Sequence, residues 1–273
     1  PLPDDSAGGN RMGEYESVQV ERRGAVAVVT LNRPDTLNAF DEALRRDLLW
    51  AVRDINGDDS VRIAILTGAG RAFSAGANLA EQPADPEHFR VEDQLNGEYK
   101  PVLLEISRAP QPWISAVNGA AAGIGSAFAM TCDLTVMADN AYLYQAFAAI
   151  GLVPDGGATW HLARTLGRKR AYEIMVTGER VSADKCLEWG LCNRVVPAED
   201  LLAESLRWAG ELATRAPLAL RYTKQALNDA MEDSLDETIS REARLQHICL
   251  GSEDAAEGAT AFLEKRAPQW KGR

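Results

Sequence analysis

The chain has 273 residues, 46 % of them apolar and 25 % charged, the proportions of an ordinary globular protein with room for one substantial core and a smaller appendage. No apolar run approaches the ~18 residues that span a bilayer, which argues against a transmembrane protein. A net charge of −11 repels nucleic acid and anionic membrane surfaces, and the one basic cluster, residues 164–170, reads as the solvated face of a helix.

The opening stretch is polar and rich in Gly, Pro and Asp, without a basic segment leading into an apolar one. Residues 1–14 therefore read as a disordered lead-in, not as a signal or transit peptide. Runs 15–22 and 25–31 are β-rich on either side of Gly24, a hairpin pattern. Leu44, Leu48, Val52 and Ile55 then recur at helical intervals behind Asp41, a candidate cap. Runs 61–67 and 114–117 are compact apolar strands that stop at Gly68 and at Asn118-Gly119. Each leads into a segment of small residues, 73–79 and 120–130, of the kind that lets a backbone approach a ligand closely.

Further strand-like runs at 133–138 and 193–196 alternate with helical patterns over 159–166, 170–177 and 183–189, which predicts an α/β fold. Beyond Pro197 four helical patterns follow one another, at 201–214, 218–231, 235–250 and 255–266. We read 15–197 as the core and 198–273 as a helical region whose apolar faces need the core or another subunit for burial. The four cysteines lack paired CxxC spacing, which predicts reduced, buried thiols in a cytoplasmic protein and no zinc site. His88, His161 and His247 form no cluster, so no metal is expected.

Four stretches carry a resemblance. They are LNRPDTLNAF at 31–40, RAFSAGANL at 71–79, AVNGAAAGIG at 116–125 and SEDAAEGATAFLEKR at 252–266. Each alone is a turn, a tight helix–strand contact or a helix end. Together, in this order and spacing, they resemble the crotonase superfamily, the enoyl-CoA hydratases and isomerases, from about residue 15 to the C-terminus. The resemblance implies a ClpP-like spiral of ββα units, a C-terminal helical trimerisation region, and homotrimers that often pair into hexamers. It also implies an acyl-CoA thioester as substrate and no cofactor beyond the coenzyme A that the substrate carries.

The family's shared device is a pair of backbone N–H groups that stabilise a thioester enolate, and by position these fall at Ala77 and Ile124. Only backbone is needed, so Ile124 in a place where glycine is common leaves the device possible. By the same carry-over, Arg33, Leu37 and Ala39 lie in the segment that wraps the CoA nucleotide and pantetheine. Ala75, Asn78 and Leu79 flank the adenine and thioester, and Lys265 stands where it would meet a CoA phosphate, in this subunit or a neighbour. Read as residues alone, the first group is a β-turn and Lys265 a solvated helix end.

Hydratases of the family use two glutamates, whose places here hold Ala127 and Phe147. Neither side chain can titrate or activate water, which counts against ordinary hydration. One acid stands nearby, Asp155 in GLVPDGG at 151–157, where an aspartate shuttles a proton in the family's dienoyl-CoA and phenylacetate-pathway isomerases. As a bare sequence, Pro154-Asp155-Gly156-Gly157 is equally a turn with a helix cap. The cap would lower the acid's pKa; an apolar pocket of Ala127, Phe147 and Leu152 would raise it. The resemblance thus implies a double-bond isomerase first, with hydration through other groups, dehalogenation or hydrolysis, and a non-catalytic acyl-CoA scaffold as rivals.

Overall fold

The structure is a computed structural model and describes residues 15–82 and 85–273, so the predicted lead-in at 1–14 lies outside the described residues. In chain order the elements are β1 (Val18–Arg23), β2 (Val26–Leu31), α1 (Glu42–Asn56), β3 (Ile63–Gly68), β4 (Ala72–Ser74), α2 (Val91–Gln94), α3 (Lys100–Ser107), β5 (Trp113–Val117) and β6 (Ala120–Ala122). Then come α4 (Ile124–Thr131), β7 (Leu134–Ala138), β8 (Tyr142–Tyr144), α5 (Ala158–Leu166), α6 (Arg168–Thr177), β9 (Arg180–Ser182), α7 (Ala183–Glu188) and β10 (Arg194–Val196). Four helices close the chain: α8 (Leu201–Ala213), α9 (Pro217–Ala230), α10 (Leu235–Leu250) and α11 (Glu253–Glu264).

The strands form two sheets, ordered β1-β2-β3-β5-β7-β10 and β4-β6-β8-β9. Consecutive strands divide between them: β3, β5 and β7 enter the large sheet, and β4, β6 and β8, which follow directly, enter the small one. Each turn of the chain thus adds one strand to each layer, and the result is the expected spiral of ββα units. Strands β2 to β10 of the large sheet are parallel, whereas β1 pairs antiparallel with β2 through the Gly24 turn. Because the sheet is covered on both faces, β2, β3 and β5 are apolar almost without alternation and nearly all buried. The small sheet escaped the sequence reading: its strands are three residues each, too short to display a period.

Local signals act where they were expected. Asp41 caps α1 by accepting from Leu44 N at 2.9 Å. The strands end at Val196, yet α8 still packs on β2, β3, β5 and β7 and sends Leu201 and Ala209 into the common core. The chain past α11 folds back, with Trp270 Nε1 donating to Thr214 O and the N–H groups of Lys271 and Gly272 donating to the buried Asp254 carboxylate. No described helix is long and apolar enough to cross a membrane.

One buried ion pair fastens α9 to the core. Lys224 is 7 % exposed, and its ammonium donates to Ile106 O, Gln111 O and Asp133 Oδ2. The same Asp133 oxygen accepts Trp113 N at 2.7 Å, which sets the first residue of β5. Removing the cation strands a buried carboxylate and two carbonyls. Lys224→Met is therefore expected to cost about 3–5 kcal/mol of stability in urea unfolding; a loss under 1 kcal/mol would show that α9 is held by other contacts.

Candidate active site

The first small-residue segment leaves β4 and is fixed from three sides. Asn38, in the left-handed conformation and fully buried, accepts Arg33 N and donates to Ala69 O and Ala72 O. Ser74 Oγ donates to Asn38 O and accepts Gly76 N. Phe40 completes the anchorage: its N–H donates to Gly76 O and its carbonyl accepts Asn78 N. In this parallel bridge to Ala77, both polar groups of Phe40 are spent on the flanking residues. Ala77 therefore turns its own N–H away from Phe40, and that group bonds no atom of the described residues.

The second segment is built alongside. Strands β4 and β6 run parallel, with Ala72 opposite Ala120 and Ser74 opposite Ala121, and just past them Gly76 lies against Ala122 and Gly123, the residues that precede Ile124. Gly123, at φ 51°, donates to Tyr144 O at 2.9 Å. Its carbonyl accepts both Ser126 N and Ser126 Oγ, and Gln145 Nε2 holds that hydroxyl at 2.7 Å. Ile124 is the first residue of α4, where N–H groups have no helical partner and the helix dipole is positive; its N–H likewise bonds no described atom. The Ile124 side chain is buried and turned onto Gly156, where an added Cβ would stand 2.2 Å from Ile124 Cδ1.

Glycines permit the contact between the two segments. A Cβ on Gly125 would stand 2.7 Å from Ser74 Cβ, and one on Gly76 would stand 2.9 Å from Ala122 O. Phe147 closes the far side, its ring 3.6 Å from the place of a Gly123 Cβ. Ala127 is fully buried against Gly156, and Phe147 is buried too.

Asp155 precedes Gly156 and so borders the same wall. Helix α5 begins behind Gly157 with no side-chain cap bond, and Asp155 offers Ala158 N its backbone carbonyl, not its carboxylate. Carboxylate oxygen Oδ1 is buried and has no hydrogen-bond partner among the described residues. Burial pushes this acid up to about 6, against a small opposing effect of a backbone N–H. His161 lies beyond Gly157, near Thr131 Oγ1, and burial holds it down at about 4.

The remaining predicted residues are spread over the turn at 33–39, the segment after β4, the loop before Asp155 and the C-terminal tail. Arg33 pairs with Asp41 at 2.7 Å, Leu37 is left-handed at φ 55°, and Ala39 is buried beside them. Ala75 and Leu79 are exposed and Asn78 is partly so, next to Ala77. Leu152 is exposed in the loop ahead of Asp155. Lys265 caps α11 on the exposed tail and has no bond to the rest of the site within this chain. A cavity of about 840 Å³ between α3, α5 and α9 touches Gly156 and Gly157, but Ala77, Ile124 and Asp155 do not line it.

Two residues that pack on Phe40, behind Ala77, had no sequence signal. Tyr99 and Arg45 stand in an aromatic and ionic cluster under the loop that follows Leu79, where Arg45 bonds Glu81, Glu98 and Phe40 O. Both are spaced like ordinary helix residues, and only the fold brings them together.

Comparison with known proteins identifies the family and the fold. The profile of the family described as Enoyl-CoA hydratase/isomerase matches residues 21–273. The 1,2-epoxyphenylacetyl-CoA isomerase of Escherichia coli K12 is 37 % identical over 96 % of this chain and 100 % of its own. A probable enoyl-CoA hydratase of Rhodobacter capsulatus is 38 % identical over 95 % and 99 %. The crystal structure of an enoyl-CoA hydratase from Bacillus anthracis superposes with a TM-score of 0.90 at 32 % identity, covering 94 % of this chain and all of the other.

Gly76, at φ 95° and against Ala122 O, is the sharpest test of the paired segments. Gly76→Ala is expected to cost about 1–3 kcal/mol in denaturant unfolding and to reduce turnover about 100-fold by parting the two N–H groups. Wild-type turnover in the folded variant would show that the paired N–H groups tolerate separation.

Proposed function

Because the chain belongs to the enoyl-CoA hydratase/isomerase family and is an acyl-CoA enzyme of that kind, we propose that its reaction is a double-bond shift in an enoyl- or ring-derived acyl-CoA. The Ala77 and Ile124 N–H groups stabilise the enolate, and Asp155 moves the proton. The observation that carries this reading is a half-buried acid, Asp155, whose Oδ1 is buried and unpartnered and whose neighbour Gly156 packs on Ala127, while Ala127 and Phe147 stand where water-activating acids would otherwise be. The relative named 1,2-epoxyphenylacetyl-CoA isomerase supports it, whereas relatives named as hydratases lend weight to hydration as the rival.

In the proposed cycle one Asp155 oxygen takes a proton from carbon at one end of the allylic system. The electron pair moves onto the thioester oxygen, where two preorganised donors contribute several kcal/mol to the transition state. The same carboxyl returns its proton at the other end, so atoms and charge balance without water. A pKa near 6 suits both halves: the group is ionised at neutral pH, yet is a stronger base than an ordinary carboxylate. Arg33, Leu37, Ala39, Ala75, Asn78, Leu79 and Lys265 would hold the CoA portion, Leu152 and Phe147 would flank the acyl group, and no cofactor is required. Free cysteines, three of the four buried, suit a reducing cytoplasm.

Incubation with 3-enoyl-CoA and 2-enoyl-CoA is expected to interconvert them. Production of 3-hydroxyacyl-CoA from the second, with no interconversion, would overturn the proposal. Asp155→Ala is expected to lower kcat at least 100-fold. In the wild type kcat/KM should rise with pH through about 6, because the ionised form is the base and the raised pKa delays its appearance.

We also propose a homotrimer, alone or paired, built on the last helices. Phe262 and Leu263 of α11 are 83 % and 80 % exposed, with Leu235 and Ile239 of α10 also exposed. Exposed apolar side chains of this size on the last two helices mark an association surface. Sedimentation is expected to give the mass of three or six chains, and Phe262→Glu with Leu263→Glu the mass of one; a monomeric wild type would rule this out.

A further inference from the structure

The site holds a second polar group that the proton shuttle leaves unused. Tyr99 ends the π-helical turn Leu95–Tyr99 between α2 and α3 and is 3 % exposed. Its ring meets Phe40 edge-on at 5.9 Å, Phe40 stacks on Phe128 of α4 at 4.6 Å, and the Arg45 guanidinium lies 5.3 Å from the Tyr99 ring centre. All these contacts use ring carbons, and a phenylalanine would make them equally well. The hydroxyl is surplus to the packing: it is buried and bonds no described atom. Stranding a buried hydroxyl costs about 1–3 kcal/mol, and buried tyrosines ordinarily find a partner.

Its surroundings point to where the partner belongs. Phe40 is the residue that bridges Ala77, so the Tyr99 ring is linked through Phe40 to the first N–H segment, and Phe40 in turn stacks on Phe128 of the helix that Ile124 begins. Burial raises Tyr99 to about 12; the Arg45 cation opposes this, by its charge and through a contact to the hydroxyl that falls short of hydrogen-bond geometry, and the Asp155 charge adds to the rise. Tyr99 Oη and Asp155 Oδ1 are both buried, both without a partner, and not bonded to each other. The phenol donates, while the ionised carboxylate only accepts, so an oxygen entering between the N–H pair and Asp155 would satisfy the phenol.

We propose that Tyr99 is a specificity-determining residue whose hydroxyl donates to an oxygen substituent of the acyl group, so that the favoured thioesters bear a hydroxyl, ether or keto oxygen along the chain. The assignment rests on the reading above only in placing the acyl group between the N–H pair and Asp155; it does not depend on isomerisation.

Calorimetric binding of hexanoyl-CoA and of its 4-oxo and 5-oxo analogues to the full-length protein tests it. The wild type is expected to bind at least one oxo analogue about tenfold more tightly than hexanoyl-CoA, and Tyr99→Phe to lose that preference while binding hexanoyl-CoA unchanged. Absence of the preference in the wild type, its survival in Tyr99→Phe, or equal weakening of all three ligands would overturn the proposal. A shift of the activity limb near pH 6 in Tyr99→Phe would place the hydroxyl on Asp155 and overturn it too. Failure of every thioester to bind would sink the acyl-CoA site itself, a result distinct from loss of preference alone.

Discussion

Everything in this site depends on two backbone segments approaching closer than side chains ordinarily allow. The parallel pairing of β4 with β6 sets them in register, and Gly76 and Gly125 remove the Cβ atoms that would force them apart. Ala77 is then free to present its N–H because Phe40 has taken the polar groups on either side of it. Ile124 is free because a helix begins there. Both donors are therefore by-products of how regular structure ends, and neither needs a particular side chain. The bulk of Ile124 is absorbed by Gly156, which links the second donor mechanically to the loop carrying Asp155.

That link joins geometry to electrostatics. The same small and apolar residues that let Gly156 pack on Ile124 and Ala127 leave the neighbouring carboxyl poorly solvated and unpartnered. Burial is the largest influence on Asp155, so its raised pKa follows from packing and not from a charged neighbour. A helix cap would have had the opposite effect, and α5 takes no bond from this side chain. On the other wall Arg45 gathers Glu81, Glu98, Phe40 O and the face of Tyr99, fastening the loop after Leu79 to the strand that positions Ala77.

Legibility varied with the reach of the interactions. The hairpin at Gly24, the Asp41 cap and the long helices are local events, and hydrophobic period and turn chemistry display them directly. The apolar runs of β2, β3 and β5 were equally plain, since strands covered on both faces need no alternation. The small sheet was not, because three-residue strands are stabilised by their neighbours and not by their own composition. Residues 91–107 form α2, a π-helical turn and α3, none of which hydrophobic period made visible beforehand.

The sequence by itself determined the α/β class, the helical C-terminus and the family, and it marked the two small-residue segments at 73–79 and 120–130, because small-residue spacing and motif order survive without coordinates. It also placed an acid at 155 and apolar residues at 127 and 147. Only the tertiary structure decided that the Asp155 carboxylate caps nothing and keeps a buried oxygen unpartnered, and that Tyr99 and Arg45 pack together against Phe40. The reason is physical: desolvation and unmet hydrogen bonds are properties of what surrounds a group, and residues 45, 99 and 155 are brought together by packing that no local pattern encodes.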